Sequence, residues 1–144
     1  MTLFLDTNVV LDVLARREPW VHDAAALLSL IEEGEAIGLV APHGLATTYY
    51  LLAKWQDRPR ANQALADLMR IVRVEPLDHD AVLRALALGW TDFEDALHAV
   101  CAQNAGANHL VTRNPDDFRK SAVPPISPPE VLALIRTQED ASPP

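Results

Sequence analysis

One cysteine, five glycines and a shortage of basic residues set the first limits on this chain. The lone Cys101 excludes an intramolecular disulfide, and its place in an apolar helical pattern suits a packed thiol better than a nucleophile. A reducing compartment follows. Only 12 Lys and Arg stand against 20 Asp and Glu, a net charge of −8, which argues against a general binder of nucleic acid that works through a basic face. No apolar run approaches the ~20 residues that span a bilayer. The first residues carry no basic segment or cleavage site, so a cytoplasmic protein without membrane association is the expectation. The histidines, at 22, 43, 79, 98 and 109, never fall i, i+4, so nothing resembles a zinc-binding helix.

What is present is an ordinary globular composition, 49% apolar and 22% charged over 144 residues, enough for one core. A single domain over residues 1–136, followed by a flexible tail over 137–144, is expected. Leu3-Phe4-Leu5 reads as a strand ended by Asp6, with Asn8 capping a helix that follows. Ala24, Leu27, Leu28 and Ile31 form an i, i+3, i+4, i+7 stripe, and Gly34 ends that helix. Short apolar runs at 37–40, 71–74 and 109–112 alternate with further helical stretches, and 123–126 suits an edge strand before a last helix from Pro129 to about Arg136. Strands alternating with helices predict an α/β fold, a three-layer α/β/α sandwich around a central, mostly parallel sheet.

In such sheets the crevice lies beyond the carboxyl ends of the strands. The acids gather there: Asp6 after the first strand, Asp92 and Asp95 at a helix start, and Asn114, Asp116 and Asp117 after the fourth strand. Asp92 and Asp95, i and i+3 on one helix face, have Cβ atoms about 5–6 Å apart and repel unless a cation or proton joins them. Glu94 is expected to point elsewhere, whereas His98, i+3 from Asp95, can face the cleft. Clustered carboxylates suit Mg²⁺ or Mn²⁺, which activate water and stabilise the leaving oxygen of a phosphodiester. Arg16, Arg17 and Arg113 are the basic residues nearest this rim, available to hold substrate phosphates or simply solvated.

Leu3-Phe4-Leu5-Asp6-Thr7-Asn8, Asp95-Ala96-Leu97 with Ala99 and Ala102, and Leu110-Val111-Thr112-Arg113-Asn114 with Asp117-Phe118 resemble, in order and spacing, the PIN-domain ribonucleases, in particular the small VapC-type toxins. The resemblance spans roughly residues 2 to 136. It implies a metal-dependent endoribonuclease using Mg²⁺ or Mn²⁺, an RNA substrate, a small antitoxin partner and a homodimer. Asp6 matches the family's first acid, Asp95 the third, Asp92 the carboxylate one turn earlier, and Asp117 the acidic or polar position before the aromatic. The family's second acid falls on Thr47, and its fourth on Asn114. Asp6, Asp92, Asp95 and Asp117 are thus the catalytic candidates. Asp6, Asp92 and Asp95 are expected to hold one metal, with Thr7, Asn8, Thr47, Thr112 and Asn114 as polar contributors. Thr47 and Asn114 also motivate a rival reading, a catalytically weakened PIN domain kept as a nucleic-acid or protein binding module.

Overall fold

A computed structural model describes residues 1–143. Its elements run β1 (Thr2–Leu5), α1 (Thr7–Leu14), α2 (Val21–Glu32), β2 (Ile37–Val40), α3 (Pro42–Trp55), α4 (Arg58–Leu68), β3 (Arg73–Val74), α5 (His79–Leu88), α6 (Phe93–Asn104), β4 (His109–Val111), a short 3₁₀ turn (Pro115–Phe118), β5 (Pro125–Ile126) and α7 (Pro128–Asp140). The strands lie in the order β3-β2-β1-β4-β5 and every pairing is parallel, with Phe4 opposite Leu39 on one side and Leu110 on the other. The expected three-layer α/β/α sandwich is what the chain forms.

Alternation along β1 divides the core. Leu3 and Leu5 pack with Leu27 and Ile31 of α2 and Val131 and Ile135 of α7. Phe4 turns to the opposite face, against Leu110, Phe118 and Cys101 and Ala102 of α6. A strand buried on both faces must be apolar at every position, which is why Leu3-Phe4-Leu5 is an unbroken run rather than an alternation. Cys101 is fully buried and its thiol is pushed up to about 12 by that burial, so it is a packing residue.

The helix ends are set locally. Asp57 and Asp78 accept hydrogen bonds from the backbone N–H groups of Arg60 and Ala81, and Gly89 closes α5 at φ +66°. The expectation that Asn8 caps α1 is corrected: Asp6 occupies the cap position, and Asn8 lies inside the helix, its Oδ1 accepting from Arg17 at 3.0 Å. The last helix also runs further than its pattern suggested, through Asp140, so residues 137–140 are helical rather than a tail. Ser127 starts this helix by accepting from Glu130 N, and Val131, Leu132 and Ile135 anchor it in the core. Residue 144 of the expected tail lies outside the described residues.

Asp12 of α1, 1% exposed, ties α1 to the loop after β4. Arg17 Nε lies 2.9 Å from its Oδ1 and Arg113 Nε 3.0 Å from its Oδ2, and the Arg113 guanidinium stacks 3.9 Å above the Trp20 ring. Removing the carboxylate leaves two guanidiniums facing each other. Asp12→Asn should lower stability by about 2–3 kcal/mol, below the full cost of a buried pair because both arginines reach solvent. Urea denaturation checks this, with a lower midpoint at unchanged slope as the expected result.

Candidate active site

The sheet order reverses direction between β1 and β4, and Asp6 and Thr112 are the first residues beyond those two strands. Ligand sites in open parallel sheets form at such a switch point. Thr112 Oγ1, fully buried, donates to Asp6 Oδ2 at 3.0 Å and accepts from the backbone N–H of Asn114 at 3.1 Å. Asp6 is 5% exposed and its carboxylate does not cap α1. Burial pushes its pKa up, while the nearby His98 ring and the Thr112 hydroxyl oppose that shift.

α6 brings the other acids to this point. Asp92 is exposed and its Oδ1 accepts from Asp95 N at 3.1 Å, so it serves as the N-cap of α6 as well as standing at the rim. Asp95 is half-buried, and its pKa is pushed up to about 7. Burial is the largest cause, followed by the negative charges of Asp6 and Asp92, with a further push from Asp117 and an opposing pull from His98. The charges of Asp6, Asp92 and Asp117 reach Asp95, as their gathering at one rim requires. Asp92, Asp95, Asp116 and Asp117 line an open cleft of about 510 Å³, whose mouth also carries Arg119 and Lys120. Trp90, edge-on to Phe118 at 6.1 Å between ring centroids, holds the 3₁₀ turn bearing Asp116 and Asp117 against this wall.

Several expected residues sit elsewhere. Glu94 does not line that cleft and turns instead to Thr7 and His98: its Oε1 accepts from Thr7 Oγ1 at 2.9 Å and lies 3.6 Å from His98 Nε2. The His98 ring holds the Glu94 carboxyl below its ordinary value, and the Thr7 hydroxyl adds to this. His98, 1% exposed, faces inward, with Nε2 2.9 Å from Thr7 Oγ1 and 3.5 Å from Asp6 Oδ1. Because the Thr7 proton goes to Glu94, the His98 nitrogen is the donor to Thr7. Asn8 is turned toward Arg17, and Asn114 is exposed at the start of the 3₁₀ turn. In α3 it is His43, one turn before Thr47, that meets the cluster: its Nε2 donates to the backbone carbonyl of Glu94 at 3.2 Å. Burial, followed by the neighbouring His98, lowers His43 to about 4, so it is neutral near pH 7. The buried hydroxyl of α3 is Thr48, which bonds back to Gly44 O at 2.8 Å, whereas Thr47 is partly exposed. Arg17 and Arg113 are committed to Asp12, leaving Arg119 and Lys120 as the cations that line the cleft.

The PIN-domain profile matches residues 2–116, and the chain belongs to the PIN-domain family. Its fold is similar to that of the VapBC2 complex of Rickettsia felis bound to promoter DNA, at TM-score 0.67 and 15% identity, over 88% of this chain and 98% of that one. It is similar, at TM-score 0.67 and 19% identity, to Mycobacterium tuberculosis VapC20, a sarcin–ricin loop cleaving toxin, over 84% and 95% of the two chains. Haemophilus influenzae VapBC-1 matches at TM-score 0.67 and 17% identity, over 90% and 99%. At these identities the likeness is one of fold. No curated protein matches by sequence. No helix among the described residues is long and apolar enough to cross a membrane.

The raised Asp95 pKa has two measurable consequences. In the metal-free protein the folded state holds this proton more tightly than the unfolded chain. Its contribution is therefore fully present below the ordinary value of 3.8 and is lost as pH rises through about 7. Melting temperature against pH in chelator should show that decline, flattened in Asp95→Asn. Conversely, any cation bound at Asp95 would have to displace the proton, so its affinity should climb as pH rises toward about 7, with proton release measured by calorimetry in buffers of different ionisation enthalpy.

Proposed function

We propose that the chain is a metal-dependent endoribonuclease that hydrolyses RNA phosphodiester bonds, and that it is the toxin of a toxin–antitoxin pair. The observation that supports this best is the gathering of Asp92, Asp95 and Asp117 around one cleft, with the buried Asp6 near enough for its charge to act on Asp95. An all-oxygen donor set of this kind fits Mg²⁺ or Mn²⁺. Asp6, Asp92 and Asp95 would hold the ion, which would supply Lewis-acid stabilisation of phosphodiester oxygens and activation of water.

The chain's own groups do the rest. Thr112 fixes the Asp6 carboxylate through Oδ2 and leaves Oδ1, 3.5 Å from His98 Nε2, without a hydrogen bond of its own. Asp92 keeps its place by capping α6, so the same bond that starts the helix orients the rim carboxylate. Asp117 extends the negative wall from the opposite side of the cleft. Arg119 and Lys120, both exposed at its mouth, are placed to hold flanking RNA phosphates, a job an acidic protein cannot leave to its net charge.

The two neutral positions favour one ion over two, since Thr47 and Asn114 contribute no negative charge. They also motivate the second reading, a weakened PIN domain that binds nucleic acid or protein without cutting. A small antitoxin is the proposed partner, supported by neighbours of this fold that are toxin–antitoxin complexes. A homodimer is supported by Tyr50 and Trp55 of α3 and Leu83 and Leu86 of α5, all half or more exposed. A cytoplasmic location completes this reading.

The decisive experiment is calorimetric titration of Mn²⁺ and Mg²⁺ into the protein and its Asp95→Asn variant, with RNA cleavage followed on the same samples. Saturable binding and metal-dependent cutting are expected in the wild type, and both should be lost in the variant. Asp6→Asn should lower cleavage at least about 10²-fold, since even groups that only support a ligand cost 10–100-fold. Wild-type binding without cleavage would select the binding module.

A further inference from the structure

Beside the carboxylate cleft, two imidazoles and a carboxylate meet in a pocket that the RNA-cutting reading does not use. His43 in the first turn of α3 and His98 in α6 stack with ring centroids 4.3 Å apart. One ligand atom from each of His43, Glu94 and His98 lies within 4.8 Å of the others. Glu94 Oε1 is 3.6 Å and Asp6 Oδ1 3.5 Å from His98 Nε2. Donors around a tetrahedral ion with bonds of 2.0–2.1 Å stand about 3.3 Å apart. The spacing around His98 Nε2 is therefore already close to that of a cation's ligands.

Local structure builds this pocket. Glu94 and His98 are i, i+4 on α6, one turn apart on the same face. α3 closes it because residue 44 is glycine: a Cβ there would stand 2.8 Å from Thr7 Oγ1 and 3.1 Å from His98 Cε1. His98 is 1% exposed, and both His98 Nδ1 and His43 Nδ1 are buried without a hydrogen-bond partner among the described residues. Two stacked imidazoles, one of them fully buried with its Nε2 facing two carboxylates, are unusual as simple packing residues.

We propose that His43, Glu94 and His98 form a second cation site, adjoining the carboxylate cleft through Asp6, that takes a borderline transition-metal ion such as Zn²⁺ or Co²⁺ in preference to Mg²⁺. Imidazole nitrogen suits these ions, whereas Mg²⁺ selects oxygen donors and retains its waters. Binding through His98 Nε2 releases to solvent the proton that this nitrogen donates to Thr7 Oγ1, and leaves the Thr7 hydroxyl bonded to Glu94. The site stands whether or not the neighbouring carboxylates cut RNA.

The test is titration of Co²⁺ into the full chain with Mg²⁺ in excess, followed by visible absorption, with Zn²⁺ as competitor. One equivalent of Co²⁺ should develop the intense bands of a four-coordinate, nitrogen-ligated ion and be displaced by Zn²⁺. His43→Ala should weaken Co²⁺ binding at least about tenfold, while Asp92→Asn leaves it nearly unchanged. His43→Gln, which keeps a polar side chain at this partly buried position, guards against simple misfolding and should give the same loss. Absence of the bands, their removal by Mg²⁺, or their persistence in both His43 variants would overturn the site. Loss of RNA cleavage in Asp92→Asn with the Co²⁺ spectrum intact separates this site from the nuclease reading.

Discussion

Burying the Asp6 carboxylate at the carboxyl end of β1 strips it of water, and much of the cleft's construction offsets that cost. Thr112 gives it a hydrogen bond from the adjacent strand end, and Thr112 is there because β4 pairs in parallel beside β1. Asp6 also precedes the first turn of α1, where the unpaired N–H groups present partial positive charge. A one-residue slip between β1 and β4 would separate the pair and turn every side chain of β1 to the opposite face. Sheet register and site geometry are therefore the same constraint.

The electrostatics follow from that placement. With one carboxylate already buried, each acid added nearby is harder to ionise, and burial together with the charges of Asp6 and Asp92 pushes Asp95 up to about 7. A proton or a cation relieves it equally well in kind, though a divalent ion does so for several carboxylates at once. The positive charge within reach is rationed by the fold: Arg17 and Arg113 pair with Asp12 of α1, and among the described residues Arg119 and Lys120 are the cations that line the cleft. The metal-free cleft is thus strongly acidic, which repels a polyanion until a cation enters.

Much of this architecture was legible in the sequence because the signals were local. Apolar runs, the Ala24-Leu27-Leu28-Ile31 stripe, Gly34 and Gly89 mark the elements, and the strand ends then place Asp6 and Thr112 on one rim. Side-chain direction was less legible. Glu94 was expected away from Asp92 and Asp95 on helical spacing, and so it is, but the direction opposite the cleft turns out to be the wall formed by Thr7 and His98. Spacing along one helix cannot reveal a neighbour contributed by another. His43 escaped for the same reason, since the histidine pattern was sought within a helix and the pair is formed between two. Asn8 and the 3₁₀ turn were misjudged or missed where tertiary partners, Arg17 and the Trp90–Phe118 contact, decided the local form.

Thr47 and Asn114 remove two negative charges from the places where the family resemblance puts acids, yet the neighbourhood is not depleted to the same degree. Glu94 returns a carboxylate close to Asp6, held ionised by His98 and the Thr7 hydroxyl. The carboxylate near Asp6 here comes from α6, and α3 contributes a neutral imidazole beside it. This pairing alters the kind of ion the region can hold more than the number of charges in it. Oxygen-only carboxylates on the Asp92, Asp95 and Asp117 side suit a hard ion that keeps water, while the His43 and His98 side offers nitrogen. Asp6, with one oxygen fixed by Thr112 and the other 3.5 Å from His98, is the group common to both, so occupancy on one side must alter the charge felt on the other.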